Sequence, residues 1–291
     1  MKILIWNIKF FAKNRIVGQT ATGGSDQENK LRTKNDAARA LQALMYIRTT
    51  VWRTDPDVFV VVEPRSSAGT VGTFADPDSA GPAGLVTLLA SLRATLSSHW
   101  CLVPPARINA TRTDPVDKGS QYTECIGVYW RSDRMTFTGP WINTKDGPRP
   151  SGVGAPIPYT GVWANGVPNG TTASGTALFA RKKEGGGLEL IGFPEETSRK
   201  PFCTTFAEIG GTQRTLELYS VHLDTYDGAR AVTSLLDIGF TDKDKKITLI
   251  GGDFNIDLSG MTTLEASAMS GMNNLFRRLV PGPAVDRKSV V

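Results

Sequence analysis

Short apolar runs alternate with polar, glycine-rich segments along the chain, and their spacing predicts its secondary structure. Apolar residues that recur every three to four positions predict helices over residues 35–53, 83–97 and 229–240. β-branched and alternating apolar runs predict strands at 2–8, 57–63, 100–103, 122–130, 135–138, 202–209, 215–223 and 246–250. Residues 12–33 and 64–82 are polar and predict surface loops. Strands outnumber helices, so the pattern favours an α/β protein rich in strands.

Two segments in the middle of the chain are rich in glycine. Residues 177–180 and 188–192 predict a hairpin around a basic tip. Residues 139–175 hold many prolines and glycines and three aromatic residues, Trp141, Tyr159 and Trp163. This stretch is too long for a plain connector. It is either an insertion that covers a site and stacks on a ring, or a surface excursion held in place by its own aromatic side chains.

Polar side chains stand at or near the ends of four predicted strands. Asp253 and Asn255 follow one apolar run, Asn7 lies in another, and Glu63 and His222 each end a further run. Residues two apart on an extended chain point to the same side, so Asp253 and Asn255 aim at one place. An acid and an amide that converge suit metal-assisted attack on phosphate. The alternative is a strand followed by an ordinary Asx turn.

The order of these motifs resembles a known family, the endonuclease/exonuclease/phosphatase superfamily with the deoxyribonuclease-I-like fold. The motifs that carry the resemblance are Trp6-Asn7-Ile8, Val62-Glu63, Val221-His222-Leu223 and Gly252-Asp253-Phe254-Asn255. Two weaker pieces, 124–131 and 198–202, fit in the same order. The resemblance implies a four-layer α/β (α+β) sandwich, in which two packed, mostly antiparallel sheets are flanked by helices.

The resemblance also implies a role for each motif residue. Glu63 would bind Mg²⁺, with Asn7 close by and with Mn²⁺ or Ca²⁺ as alternatives. His222 would contact the scissile phosphate, Asp253 would activate water and Asn255 would orient the phosphate. Each has a plainer interpretation: Glu63 as a loop or helix-capping carboxylate, Asn7 as a buried amide, and His222 as a structural strand histidine.

Further basic and aromatic residues are expected near the substrate. The resemblance suggests that Tyr129 and Arg131 face the phosphate and that Arg199 belongs to the substrate-binding set. Arg230 resembles an arginine of the family that we expect to form a structural ion pair. His99 matches no motif.

The expected activity is metal-dependent hydrolysis of phosphodiesters by an endo- or exonuclease acting on DNA or RNA. The alternatives are a phosphomonoesterase or phospholipase of the same fold, acting on inositol phosphates or sphingomyelin, and a non-catalytic nucleic-acid-binding module. A net charge of +5 and a pI of about 9.1 favour a polyanionic partner. No covalent enzyme intermediate is needed, because water attacks phosphorus directly.

We expect one domain over residues 1–285 that lacks the last strands of the family, since no histidine follows His222. Residues 284–287 are either a short version of the strand before the missing element or part of a foreign tail. The segment 286–291 matches the translation of a common sequencing-adapter sequence, so we interpret it as non-native.

The composition indicates the class of protein and the cellular compartment. With 40% hydrophobic and 21% charged residues, the chain is typical of soluble globular proteins. It shows no apolar run of membrane-spanning length and no signal peptide. Three widely spaced cysteines predict neither a disulfide framework nor a metal site. We therefore expect a monomeric protein of the cytoplasm.

Overall fold

The computed structural model describes most of the first half of the chain and selected strands of the second. The described residues are 1–20, 22–69, 75–76, 78–105, 107–109, 112–113, 121–144, 147–150, 180–182, 188–190, 199, 201–223 and 246–255. The predicted helix over 229–240, Arg230, most of the segment 139–175 and the tail 286–291 lie outside them.

Three helices lie in the first third of the chain: α1 (Asn14–Val17), α2 (Asp26–Thr54) and α3 (Ala80–Thr95). A capping box starts α2, because the Ser25 side chain accepts from the Glu28 backbone N–H while the Glu28 side chain accepts from the Ser25 backbone N–H. The prediction of a loop over 12–33 is therefore wrong for α1 and for the first two turns of α2. Within the described residues, no helix is long and apolar enough to cross a bilayer.

The first sheet has six strands: β1 (Ile3–Phe11), β2 (Val58–Ser67), β3 (Trp100–Val103), β4 (Arg112–Thr113), β5 (Gln121–Glu124) and β6 (Gly127–Arg131). Their order is β3-β6-β2-β5-β4, and β1 pairs in parallel with β2. All other pairs in this sheet are antiparallel.

The second sheet has five strands, β7 (Met135–Thr144), β8 (Gly147–Pro150), β11 (Phe202–Glu208), β12 (Thr215–His222) and β13 (Lys246–Asp253). Their order is β13-β12-β11-β7-β8, and only β12 and β13 run parallel. The strands β9 (Ala180–Lys182) and β10 (Leu188–Leu190) form a separate antiparallel pair, which confirms the predicted hairpin.

The core shows how β2 separates its two faces. Val58, Val60 and Val62 point into a cluster shared with the second sheet, whereas Phe59 and Val61 pack with α2 and α3 on the other face. Successive strand residues point to opposite faces, so a fully apolar strand is buried on both. Two mixed sheets thus pack together with helices outside, which confirms the predicted fold class; the helix predicted for the far face lies outside the described residues.

The strand β2 changes partners at Glu63, which has a left-handed φ of +70°. Before Glu63 it pairs with β1 and β6; after Glu63 it pairs with β5, and β1 meets it once more where Phe11 lies opposite Pro64. The single strand predicted over 122–130 is therefore two strands, β5 and β6. The loop predicted from residue 64 is likewise wrong for residues 64–67, which continue β2.

Candidate active site

The two parallel strand pairs bring the predicted site residues to one rim. In the first sheet Asn7 is in register with Val62, next to Glu63. In the second sheet His222 is in register with Asp253. Asn7 Nδ2 donates to Asp253 Oδ2 at 2.7 Å, which joins the two sheets. The predicted site residues of four strands therefore meet at one place: His222 and Asp253 end β12 and β13, whereas Asn7 and Glu63 lie within β1 and β2, which continue beyond them.

Two glycines let β13 approach its neighbours closely. Gly252 has a φ of +153°, and a Cβ atom there would collide with the carbonyl oxygen of Val221 in β12. A Cβ atom on Gly251 would meet the Cδ1 methyl of Ile5 in β1. The absence of side chains at these two positions therefore sets the position of Asp253 between the two sheets.

Hydrogen bonds hold the end of β13 in a tight turn. Asp253 Oδ1 accepts from the backbone N–H of Asn255 at 3.0 Å. Asn255 has a φ of +48°, a left-handed conformation that asparagine tolerates well. Its Nδ2 donates to the carbonyl oxygen of Leu223 at 2.8 Å, and Leu223 N–H donates to the carbonyl oxygen of Asp253 at 2.8 Å. Asn255 therefore lies beside Asp253, with its amide anchored to the end of the neighbouring strand.

His222 lies between two carboxylates of the first sheet. Its Nδ1 is 2.8 Å from Oε2 of Glu124, and its Nε2 is 3.9 Å from Oε2 of Glu63. His222, Glu63 and Glu124 are all buried. The ring is thus held at one nitrogen and presents the other toward Glu63.

Three groups hold Glu124 in place. Arg199 Nη2 donates to its Oε1 at 2.7 Å, while Arg199 Nη1 donates to the carbonyl oxygen of Leu223 at 3.1 Å. The Glu124 backbone N–H donates to Oδ1 of Asn109 at 2.5 Å. Burial raises the pKa of the Glu124 carboxyl, but hydrogen bonds from His222 and Arg199 outweigh burial, so the pKa falls to about 2.

The ionised state of Glu124 fixes the hydrogen on the His222 ring. An ionised carboxylate only accepts hydrogen bonds, so the nitrogen that faces it carries a proton. His222 Nδ1 is therefore the N–H donor to Glu124. The Nε2 nitrogen remains to accept a proton in the neutral ring, or to donate one in the charged ring.

Glu63 occupies a strained backbone position. A left-handed φ is uncommon for a non-glycine residue with a long side chain, and such a position costs about 1–3 kcal/mol. Strained residues are concentrated at functional sites, where the surrounding structure holds them. At Glu63 the strain accompanies the change of strand partner described above.

The donors at this rim fit a hard divalent cation. Asn7 Nδ2 faces a carboxylate, so its Oδ1 is the opposite atom; Oδ1 is buried and has no hydrogen-bond partner. A carboxylate and an amide oxygen are the ligand types that Mg²⁺ prefers, and Mg²⁺ takes its remaining ligands from water and phosphate. Within the described ranges, no three His, Cys, Asp or Glu side chains gather as a ready-made metal cage.

Two predicted substrate residues lie away from this rim. Tyr129 is fully buried, stacks on Phe59 and donates its hydroxyl to the carbonyl oxygen of Leu85, so it cannot contact a substrate. Arg131 lies at the opposite end of the sheet, where it pairs with Asp133. Both expectations are corrected, because β6 runs antiparallel to β2 and its C-terminal end lies away from Glu63.

Three residues near the rim have contacts that the sequence did not predict: Arg199, Glu124 and Asn109. Arg199 lies near the cluster, but its described contacts are to Glu124 and to the Leu223 carbonyl. Sequence reasoning gave no role to Glu124 or Asn109. Glu124 carries a readable signal, since it is a carboxylate that ends β5 and pairs with Arg65, two residues after Glu63. Asn109 carries none, because an isolated amide in a loop predicts no location.

Comparisons with known proteins return solved structures of low sequence identity. No protein-family model and no curated protein sequence matches the chain. Among solved structures, humanized D. rerio TDP2 is 12% identical over 96% of this chain and 79% of that one, with a TM-score of 0.38. An endonuclease/exonuclease/phosphatase family protein from Leptotrichia buccalis is 13% identical over 94% and 72%, with a TM-score of 0.42.

A third solved structure is a mannosyl-6-phosphatase from Bacteroides thetaiotaomicron. It is 12% identical over 93% of this chain and 70% of that one, with a TM-score of 0.39. At these identities and TM-scores the likenesses assign neither a family nor an activity to this chain.

Proposed function

We propose that the chain is a divalent-metal-dependent phosphoester hydrolase and that its substrates are phosphodiesters of nucleic acids. The observation that carries this proposal is the rim where Asn7 and Asp253 are hydrogen-bonded across the two sheets beside His222 and Glu63. An acid, an amide, a histidine and a strained carboxylate there supply the groups that water attack on phosphorus requires.

Glu63 and Asn7 would hold the metal ion. The buried Oδ1 of Asn7 lacks a hydrogen-bond partner, and a cation would satisfy it. When bound, a divalent ion supplies positive charge that stabilises phosphate oxygens as negative charge develops on them. The backbone strain at Glu63 is consistent with a carboxylate held for binding at some cost in stability.

Asp253 would orient and deprotonate the attacking water. Each of its oxygens accepts one described hydrogen bond, from Asn7 and from the Asn255 backbone. An ionised carboxylate offers roughly four acceptor sites, so Asp253 retains capacity for a water molecule. The two hydrogen bonds fix its rotamer, which is what a positioned general base needs.

His222 would stabilise the phosphate and the departing oxygen. Its Nδ1 is held by Glu124, which fixes the orientation of the ring and leaves Nε2 facing the rim. The Nε2 atom then donates a hydrogen bond to a phosphate oxygen or a proton to the leaving group. Arg199 pairs with the other oxygen of the Glu124 carboxylate and neutralises its charge.

Net charge supports a polyanionic substrate. The chain carries 33 lysines and arginines against 28 carboxylates, a net charge of +5. A basic protein attracts nucleic acid through the phosphate backbone, and this attraction weakens as salt rises. We therefore place nucleic-acid phosphodiesters before small phosphomonoesters as substrates.

Hydrolysis assays test the proposal directly. The purified protein, residues 1–291, is incubated with plasmid DNA, RNA and a phosphomonoester, with Mg²⁺ or with a chelator. We expect Mg²⁺-dependent cleavage of nucleic acid that Asp253→Asn lowers by roughly 10²–10⁴-fold. Asp133→Asn is the matched control, because Asp133 is exposed and lies at the far end of the sheet.

A thermal assay tests the metal site without relying on activity. A ligand that binds only the folded state raises its stability by mass action, by about 2.7 kcal/mol at 100 times its Kd. We expect Mg²⁺ to raise the Tm of the wild type and not that of Glu63→Gln. Nucleic-acid binding without cleavage, or release of phosphate from the phosphomonoester alone, would refute the proposed activity.

A further inference from the structure

Exposed hydrophobic residues of the described part are concentrated on one helix. Among the described residues seven large apolar side chains are exposed. Five of them lie on α2: Leu31, Leu41, Met45, Tyr46 and Trp52. Single exposed apolar residues are ordinary, but a contiguous exposed set marks an interaction surface. The set lies outside the candidate active site.

Their spacing places four of these five on one face of α2. Leu31, Leu41, Met45 and Trp52 are spaced by ten, four and seven residues, so they share a face roughly 100° wide. Met45 is 56% exposed and Trp52 is 66% exposed. The side of α2 that packs on the protein is a different one and carries Ala40, Ile47 and Val51.

Two cations accompany these apolar residues: Lys34 is exposed, whereas Arg48 is half-buried and its Nε is buried. Lys34 and Arg48 fall at helical spacing between the apolar residues. We call the six residues Leu31, Lys34, Leu41, Met45, Arg48 and Trp52 the α2 stripe. From Ala37 to Thr54 the helix carries three arginines and no carboxylate. From Leu31 to Trp52 the stripe therefore combines apolar side chains with positive charge along about six turns.

We infer that the α2 stripe binds the surface of an anionic phospholipid membrane. A helix that lies in the interface plane buries leucine, methionine and tryptophan at the acyl boundary. Its lysines and arginines extend their aliphatic stems and keep the charged ends at the phosphate headgroups. The interleaving of apolar residues and cations in the stripe fits both demands at once.

Charge favours an anionic membrane over two other partners, a second copy of the chain and a nucleic acid. A second copy of the chain would bring Lys34 and Arg48 against the same cations, since symmetric contacts juxtapose identical patches. A nucleic acid would pair with the cations but would leave Leu41 and Met45 in water. An anionic bilayer is complementary to both parts of the stripe.

Vesicle co-sedimentation tests this inference with the full-length chain. The probes are vesicles of phosphatidylcholine alone and of phosphatidylcholine mixed with phosphatidylserine. We expect binding to the mixed vesicles that falls as salt rises, and weak binding to the neutral ones. The triple variant Leu41→Gln, Met45→Gln, Trp52→Gln should bind the mixed vesicles at least about tenfold more weakly.

Three controls separate the stripe from other causes. Ile209→Gln removes an exposed apolar side chain that lies on another element and should leave binding unchanged. Lys34→Gln should weaken binding to the mixed vesicles only. Asp253→Asn should bind like the wild type, so the test does not depend on the proposed hydrolysis. Thermal unfolding of each variant verifies that it is folded.

Several results would overturn the inference. Equal vesicle binding by the wild type and the triple variant would show that the stripe is not the membrane contact. Equal binding to neutral and anionic vesicles would remove the role of its cations. A stripe-dependent dimer, or stripe-dependent binding to an oligonucleotide with none to vesicles, would assign the stripe to one of the other occupants.

Discussion

At the scale of single residues, Glu124 controls both the orientation and the protonation of His222. It accepts from His222 Nδ1 on one side and from Arg199 on the other, and it remains ionised because these hydrogen bonds outweigh burial. A neutral side chain in its place would keep the shape but lose the charge that holds the proton on Nδ1. The chemistry of the histidine thus depends on a residue that need not touch the substrate.

Replacing Glu124 tests this dependence. We expect Glu124→Gln to lower kcat by roughly 10²–10⁴-fold with little change in KM, because a mispositioned or wrongly protonated imidazole loses acid–base function. In a His222→Ala background the same replacement should cost little more, since both residues act as one unit. Initial rates of the two single variants and of the double variant show whether the two losses add. Fully additive losses would contradict a role of Glu124 through His222.

Glu63 offers a second test, in which stability and function change in opposite directions. Glycine adopts a left-handed φ without steric cost, so Glu63→Gly should unfold with a free energy about 1 kcal/mol higher than Glu63→Gln. Neither variant should respond to Mg²⁺. Urea unfolding of both proteins measures the difference, and a less stable glycine variant would show that this backbone position is not strained.

At the scale of elements, the rim depends on how closely three strands approach. The strand β13 lies against β12 and near β1, and the glycines at its end leave no side chain between them. The two glycines differ in what a methyl group would meet. At Gly252 it meets the backbone of Val221, whereas at Gly251 it meets the movable end of Ile5.

That difference predicts unequal costs for two similar substitutions. We expect Gly252→Ala to lower the free energy of unfolding by at least about 1–3 kcal/mol, because the backbone must leave a strained conformation or move. Gly251→Ala should cost less, since Ile5 can change rotamer. Thermal unfolding of the two variants compares them, and equal losses would contradict the assigned packing of β13.

Sequence patterns predicted most of the described strands but, apart from one hairpin, not which strands pair. Continuous apolar runs such as β2 and β3 stand out because they are buried on both faces. The start of α2 escaped notice because its first turns are polar and depend on a capping box. The division between β5 and β6 follows from the left-handed turn at Glu63, a tertiary feature that no local pattern shows.

The candidate site was likewise predicted only in part from the sequence. The apolar runs correctly predicted that Asn7, Glu63, His222 and Asp253 lie together, because the parallel pairs β1–β2 and β12–β13 bring them to the same level, although β1 and β2 continue beyond this point. Contacts made across the two sheets, such as those of Glu124, require knowledge of how the sheets pack. Tyr129 was misplaced for a different reason, since alternation along β6 turns its side chain toward the helices.

At the scale of the whole molecule, polar side chains tie the two sheets together at the rim. Asn7 reaches Asp253, and Glu124 reaches both His222 and Arg199. The apolar core between the sheets supplies most of the stabilisation, while these ties fix the relative position of the sheet ends. Loss of one tie would therefore affect both stability and geometry.

Acid should break the tie made by Glu124. Its pKa falls from an ordinary value of 4.5 to about 2 in the folded protein. A carboxyl with a lowered folded pKa stabilises the fold above its unfolded pKa, and this contribution is lost as pH falls through the folded pKa. The free energy of unfolding should therefore decrease between about pH 4.5 and 2, and Glu124→Gln should lack this part of the decrease. Identical pH profiles for the two proteins would contradict the assignment.

The most direct test of the account compares the chain's two histidines, His222 at the rim and His99, which is exposed and away from it. The measurement is the initial rate of nucleic-acid cleavage by the wild type, His222→Ala and His99→Ala, with Mg²⁺ and with chelator. We predict cleavage by the wild type and by His99→Ala, and none with chelator. The rate for His222→Ala should be roughly 10²–10⁴-fold lower. Equal rates for His222→Ala and the wild type, or cleavage that persists with chelator, would contradict it.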